Sequence, residues 1–179
     1  MKILQLNLNH CQAAQDLLVQ SVRELSVDLA ILSEPYRKIE SQDWLCDASN
    51  TTAIWAVNKQ TLQHAKTPQI GYTRAYVSGI FIYSCYIPPR CSKEEFEDIV
   101  DSIASDAATK RPVLIAGDFN AWAIEWGCPR TNLRGRILLE SLSALDVVLL
   151  NRGNTQTFSR GERGSIIDIA FASSSIVAL

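Results

Sequence analysis

Pro112-Val113-Leu114-Ile115-Ala116-Gly117-Asp118-Phe119-Asn120 is the stretch on which the reading of this chain turns. Pro112 to Ala116 is a short apolar strand, and it runs directly into Gly117-Asp118-Phe119-Asn120. Asp and Asn after Gly are common turn chemistry. Placed at the end of an apolar strand, they set a carboxylate and an amide at the sheet's rim. The same ending recurs elsewhere: Asn7 after Leu6, Glu34 after Ser33 and Tyr86 after Cys85. Asp168 interrupts Ser165-Ile166-Ile167-Asp168-Ile169-Ala170-Phe171, an otherwise apolar strand. A carboxylate there is costly unless it is paired, hydrogen-bonded or bound to a metal. Polar residues at several strand ends point to one shared pocket, and oxygen donors without His or Cys suit Mg²⁺ or Mn²⁺.

Working outward, Ile3 to Asn9 alternates, with Leu4, Leu6 and Leu8 on one side and Gln5, Asn7 and Asn9 on the other, as in a half-buried strand. Ala14, Leu17, Leu18, Val22 and Leu25 share a helical face. Leu29 to Ser33 is a second strand, stopped by Pro35. Residues 52–57 and roughly 69–87 are rich in β-branched and aromatic residues and read as consecutive antiparallel strands. Ser92-Lys93-Glu94-Glu95 is a capping box that opens a helix with Phe96, Ile99, Val100, Ile103, Ala104 and Ala107 on one face. A third helix covers about Arg134 to Leu145. Strands follow at Val147 to Leu150, Gln156 to Ser159 and Ile166 to Ala172. This order lacks strict βαβα alternation; mixed sheets flanked by helices, a β-sandwich with helices outside, fit it better.

The 179 residues, 47% hydrophobic with a net charge of -2, describe one globular domain and exclude disorder and a protein held to nucleic acid by bulk charge. The charge is uneven. Residues 130–163 hold six arginines and no lysine, against Glu140, Asp146 and Glu162. Such an excess is a candidate phosphate-contacting face. Five cysteines without a C-x-x-C pair read as reduced, buried thiols of an intracellular protein. With only His10 and His64, a Cys/His zinc site is excluded as a leading reading. No basic-then-apolar leader or membrane-length apolar run is present. Trp122 and Trp126 are spaced for one helical face, so burial of both is expected.

Gln5-Leu6-Asn7-Leu8-Asn9, Ser33-Glu34-Pro35-Tyr36, Tyr86-Ile87-Pro88-Pro89, Gly117-Asp118-Phe119-Asn120-Ala121, Thr157-Phe158 and Ser165-Ile166-Ile167-Asp168 occur in the order found in the endonuclease/exonuclease/phosphatase family. Asp118 to Trp126-Gly127, followed by Arg130-Thr131-Asn132-x-Arg134-Gly135-Arg136, resembles the endonuclease domain of non-LTR (LINE-type) retrotransposons of the Jockey and telomere-targeting kind. The resemblance implies a four-layered α/β sandwich with its site at one edge of two sheets. It implies a metal-binding glutamate at Glu34, supported by Asn7, and a water-aligning or deprotonating aspartate at Asp118. It implies a phosphate-holding amide at Asn120, a phenol beside the scissile phosphate at Tyr86, and a histidine-orienting carboxylate at Asp168. Arg130, Arg134, Arg136 and Thr157 are its candidate DNA contacts. The implied activity is Mg²⁺- or Mn²⁺-dependent nicking of double-stranded DNA, leaving a 3′-hydroxyl for target-primed reverse transcription. A reverse transcriptase downstream in the same polyprotein and a nuclear location go with it, and no membrane does.

The family's closing Ser-Asp-His motif should follow Asp168 by some tens of residues. The sequence runs to Leu179 without it. The expectation is therefore a domain over residues 1–179 that is incomplete at its C-terminus, with a sheet edge exposed. A phosphatase or phosphodiesterase on the same fold, or an inactive DNA-binding remnant, are the alternatives.

Overall fold

The computed structural model describes residues 1–57, 62–64, 69–161 and 163–177, with His64, Arg160 and Arg163 described in backbone alone. Twelve strands are seen: β1 (Ile3–Asn7), β2 (Leu29–Ser33), β3 (Trp44–Cys46), β4 (Thr52–Ala56), β5 (Gln63–His64), β6 (Tyr72–Val77), β7 (Ile80–Tyr86), β8 (Val113–Asp118), β9 (Val147–Leu149), β10 (Phe158–Arg160), β11 (Arg163–Ser165) and β12 (Asp168–Ser173). The helices are α1 (Gln12–Glu24), α2 (Lys93–Ala108), α3 (Leu133–Leu142) and α4 (Ser174–Val177), with a single 3-10 turn at Ile124–Trp126.

Two sheets face each other. The first runs β1-β2-β4-β3 and the second β5-β6-β7-β8-β12-β9, while β10 and β11 form a separate hairpin. Alternation along each strand divides the apolar residues among three layers. Leu8, Leu18, Val22, Ala30, Leu32 and Trp44 pack α1 onto the outer face of the first sheet. Tyr83, Phe96, Val100, Ile103, Ile115, Leu138 and Leu142 pack α2 and α3 onto the outer face of the second. Leu29, Ile31, Ile54, Ala75, Val77, Ile82, Leu114 and Ala116 fill the space between the sheets. The result is the four-layered helix–sheet–sheet–helix sandwich that the motif order implies.

Several elements differ from their sequence reading. β4 does not continue into β6 and β7; it pairs with β2 and β3 in the opposite sheet, while β6 and β7 form the antiparallel hairpin. Local β propensity does not carry sheet membership. Leu17 and Leu25 are exposed, and Gln15 takes a buried place on α1 beside Leu18 and Val22. Gln15 is held there by the backbone of Arg37, donating to its carbonyl and accepting from its N–H. Trp126 is buried in the 3-10 turn, but Trp122 lies outside any helix and is partly exposed. Of the five free cysteines, Cys85 and Cys128 are buried and Cys11 is exposed. The α2 capping box is present as read, with Ser92 Oγ accepting from the Glu95 amide and the Glu95 carboxylate accepting from the Ser92 amide.

Strand direction positions the site. β1 and β2 are parallel, and so are β7 and β8, so all four end at the same rim of the sandwich. β12 is antiparallel to β8 and therefore begins there, with Asp168 directly opposite Asp118. Tyr86 is opposite Asp118 on the other side. β7 and β8 meet closely: a Cβ on Gly117 would lie 1.9 Å from the Cys85 carbonyl oxygen, so this position admits only glycine.

Candidate active site

The alternation that fills the inter-sheet layer with Leu29, Ile31, Ile82, Leu114 and Ala116 continues to the rim with polar residues. Ser33 follows Ile31 on β2, Ser84 and Tyr86 follow Ile82 on β7, and Asp118 follows Ala116 on β8. On β1, Gln5 and Asn7 follow Ile3. The site is thus the polar end of an inner core. Below it the two sheets are tied by buried hydroxyls. Ser33 Oγ donates to the Cys85 carbonyl at 3.2 Å, Ser84 Oγ to the Leu32 carbonyl at 3.0 Å, and the Thr52 and Thr73 hydroxyls meet at 2.6 Å.

At the rim, Asn7 is the hub. Its Nδ2 donates to Glu34 Oε2 at 3.0 Å and to Asp118 Oδ2 at 2.9 Å, while its Oδ1 accepts from the Asn9 amide at 2.7 Å. Asp118 Oδ1 accepts from the Asn120 amide at 3.0 Å. Asn120 Nδ2 donates to the Ile87 carbonyl at 3.2 Å, which leaves the second N–H of that amide facing the cleft. Gln5 Nε2 reaches Asp168 Oδ1 at 3.4 Å. These residues and Thr157, Asn151, Trp122 and Phe158 line an open cleft of about 890 Å³.

Burial raises the Asp118 carboxyl to about pH 7, helped by the charges of Asp168 and Glu34 and opposed by the hydrogen bonds from Asn7 and Asn120. Asp168 is also raised by burial, against hydrogen bonds from Thr157 and Gln5. The Tyr86 phenol is pushed far up by burial, by its hydrogen bond to Glu34 and by the charges of Glu34 and Asp118, so it stays protonated.

Backbone conformation is unusual at this rim. Asn9, His10, Glu34 and Asn120 have φ of 48–50°, left-handed for side chains that rarely adopt it. Each costs of order 1–3 kcal/mol, and such residues persist where neighbours hold them. Glu34 is held by its amide to the Thr51 carbonyl at 2.8 Å and by its carbonyl to the His10 amide at 2.8 Å. The Thr51 turn is fixed in turn by Asp47, whose carboxylate accepts from the Thr51 and Thr52 amides.

The six residues Asn7, Glu34, Tyr86, Asp118, Asn120 and Asp168 therefore share one cleft. The four candidate DNA contacts do not stand together. Arg130 and Arg136 are exposed, with Arg130 lying 5.8 Å above the Trp122 ring. Thr157 lines the cleft, but its Oγ1 accepts from the Ile167 and Asp168 amides, both at 3.1 Å, and so fixes the start of β12. Arg134 turns inward instead of facing solvent. It donates to the Asn120 carbonyl at 3.2 Å and the Pro88 carbonyl at 2.6 Å and sits 4.5 Å above the buried Phe96 ring. His64 and Arg160 have side chains outside the described residues.

Gln5 and Asn151 were not singled out for the site from sequence, whereas His10 was placed near the pocket because it follows the Asn7 strand. Asn151 brackets β12 by donating to the Asp168 carbonyl and accepting from the Ala170 amide, both at 2.9 Å. His10 Nε2 lies 3.5 Å from Glu34 Oε1, and its Nδ1 lies 3.1 Å from the Pro35 carbonyl. The strand alternation that pairs Gln5 with Asn7 is the signal that finds Gln5; nothing local finds Asn151.

The fold and the sequence match known proteins. The model of the endonuclease–reverse transcriptase family matches residues 80–179, and the chain belongs to that family. Among solved structures it is similar to the endonuclease domain of TRAS1, a telomere-specific non-LTR retrotransposon. That match has 21% identity and a TM-score of 0.83, covering 98% of this chain and 85% of that one. It is similar to a 3′ phosphatase, NExo, from Neisseria, solved bound to a product DNA hairpin, with 16% identity, a TM-score of 0.73 and coverage of 99% and 88%. It is also similar to an AP endonuclease from Archaeoglobus fulgidus, with 13% identity, a TM-score of 0.74 and coverage of 99% and 89%. No curated protein matches the chain. The resemblance read from the motifs is borne out in family and in fold. No helix among the described residues is long and apolar enough to cross a membrane.

Proposed function

We propose that this chain is a divalent-metal-dependent DNA endonuclease that hydrolyses one phosphodiester bond of a duplex and leaves a 3′-hydroxyl for reverse transcription. The observation that carries the reading is the Asn7 amide. It bridges Glu34 of one sheet and Asp118 of the other, with Asp168 and Tyr86 opposite Asp118. Family membership supplies the substrate class.

The donor set fits a hard cation such as Mg²⁺ or Mn²⁺. Glu34 offers carboxylate oxygen, whereas Asn7, read from sequence as supporting the metal, turns its Nδ2 to Glu34 and Asp118 and spends its Oδ1 on the Asn9 amide; the Asp118 carboxyl carries a charge penalty from two neighbouring carboxylates that a cation offsets. Among the described residues no group of three or more His, Cys, Asp or Glu could enclose an ion. A cation held by Glu34, whose carboxylate the Asn7 amide steadies, would therefore keep several waters, the usual habit of Mg²⁺. When bound, it supplies charge neutralisation at the phosphate. The chain's own residues do the rest. Asp118, fixed by Asn7 and by the Asn120 amide, orients a water and takes its proton as that water attacks phosphorus; the P–O3′ bond breaks, and the departing 3′-oxygen takes a proton from solvent to become the 3′-hydroxyl. The outward N–H of Asn120 donates to a phosphate oxygen as negative charge builds there, and the Tyr86 hydroxyl, its single proton donated to Glu34, fixes that carboxylate beside the phosphate. Thr157 and Asn151 hold Asp168 in place beside Asp118. Exposed Arg130 and Arg136 are the cations available to flanking phosphates.

The test is nicking of supercoiled plasmid in Mg²⁺, Mn²⁺ or EDTA, followed by polymerase extension from the nick. Extendable nicks that depend on the metal and vanish in Glu34→Gln support the proposal. Metal-dependent release of phosphate from 3′-phosphorylated DNA, without nicking, would replace it with a phosphatase. DNA binding with no hydrolysis in any metal would leave a binding module.

A further inference from the structure

The stretch Arg130-Thr131-Asn132-Leu133-Arg134-Gly135-Arg136 is not absorbed by the catalytic reading, and its contacts share one target. Asn132 caps α3 by accepting from the Gly135 amide at 2.8 Å, and the same oxygen accepts from the Trp122 amide at 3.2 Å. The Asn132 amide donates to the Trp122 carbonyl at 2.9 Å, and Thr131 Oγ1 accepts from the Ile124 amide at 3.2 Å. A Cβ on Gly135 would lie 2.0 Å from the Trp122 carbonyl oxygen, so α3 sits directly against that backbone. Apart from the cap itself, each of these contacts grips residues 122–124, just beyond the Asp118 and Asn120 rim.

Arg134 reaches Asn120 itself. Its guanidinium joins the carbonyls of Asn120 and Pro88, which follow the ends of β8 and β7, and its plane rests on Phe96. Asn120 has the left-handed φ of 48°, and its side chain is already turned onto the Ile87 carbonyl. Among the described residues no carboxylate lies within ion-pair distance of Arg134, so its charge is not spent on an acidic partner. A planar fork that serves two carbonyls while stacked on an aromatic ring cannot be replaced by the single ammonium of lysine.

We infer that Arg134 is a positioning residue, resting on the nuclease reading above. It holds the strained Asn120 backbone so that the Asn120 amide meets the scissile phosphate, and it does not itself contact DNA. Misplacing a reacting or binding group by about 1 Å can cost on the order of a hundredfold in rate.

The experiment uses Arg134→Met, which keeps the stem on Phe96 and removes the donors, and Arg134→Lys, which keeps the charge. Selective ¹⁵N-Asn labelling reads the side-chain amides in the absence of substrate. The Asn120 signal should shift and broaden in both variants, while those of Asn7 and Asn151 stay. An unchanged Asn120 signal overturns the inference whether or not the wild type cleaves DNA. Nicking kinetics give the second readout. Turnover should fall roughly ten- to a hundredfold, with DNA affinity and its salt dependence unchanged. A salt slope reduced by about 1 would mark a direct phosphate contact and overturn it. In an Asn120→Ala background, Arg134→Met should add less than about threefold, as expected when one residue acts through another; an additive loss overturns it. A wild type that cleaves no DNA would refute the nuclease reading alone, and the Asn120 signal would still decide the role of Arg134.

Discussion

The layer between the two sheets has an apolar end and a polar end, built on the same strands and the same alternation. Toward one end Leu29, Ile31, Ile54, Ala75, Val77, Ile82 and Leu114 exclude water. Toward the other, the very next inward positions are Ser33, Thr52, Thr73, Ser84, Tyr86 and Asp118. The first end is stabilised by area removed from water. At the second end, buried hydroxyls and amides find partners, but the Asp118 carboxyl is raised by its burial and further by the charges of Asp168 and Glu34. One register thus carries a stabilising half and a half held under electrostatic tension.

The sharpest break of this contrast is Asp118→Asn. Nicking should fall by ~10²–10⁴-fold, the usual contribution of a positioned acid–base group. Stability should move the other way. The folded Asp118 carboxyl titrates near 7, above its unfolded value near 4. Its contribution is therefore fully present below about pH 4 and is lost as pH rises through about 7. The metal-free wild type should be more stable at pH 5 than at pH 8 by up to a few kcal/mol. Asp118→Asn should flatten that slope and melt higher than wild type at pH 8. Thermal melts at both pH values check this, and a variant that melts lower at pH 8 would mean the carboxylate stabilises the rim.

Ile82→Ala probes the other end. Removing this fully buried side chain should cost about 2–5 kcal/mol in urea unfolding. Turnover per folded molecule should stay within a few-fold, because Ile82 touches no rim residue through a hydrogen bond. A large drop in turnover at unchanged DNA affinity would show that the two ends are coupled. The smallest effect is expected at the boundary. Ser84→Ala deletes the donor to the Leu32 carbonyl and should cost about 1 kcal/mol. It should slow nicking only several-fold, and a loss as large as that of Asp118→Asn would make the cross-sheet hydroxyl part of the chemistry.

Much of the rim was legible because a carboxylate or amide in an apolar strand breaks a pattern. Asp118 and Asp168 stand out for that reason, and the sandwich follows from the order of strands and helices. What stayed hidden depends on distance in space. Nothing in residues 52–56 says which sheet they join, and the pairing with β2 is settled only on folding. Arg134 reads as a surface arginine because a guanidinium turned inward onto carbonyls has the same local sequence as one facing DNA. Trp122 and Trp126 are separated by a 3-10 turn rather than a helix, so the spacing of four misled. Asn151 meets the rim through a turn whose course is fixed by long-range contacts.

The Ser33–Cys85 and Ser84–Leu32 hydrogen bonds carry a consequence for motion. Glu34 hangs from one sheet, and Asp118 and Asp168 hang from the other, so the gap between the sheets is also the gap between the proposed catalytic groups. Breathing of the sandwich would open the active site like a hinge. The paired hydroxyls latch the sheets immediately below the carboxylates, so the amides of β2 and β7 should be among the slowest to exchange with deuterated solvent, and the cleft should be as rigid as they are.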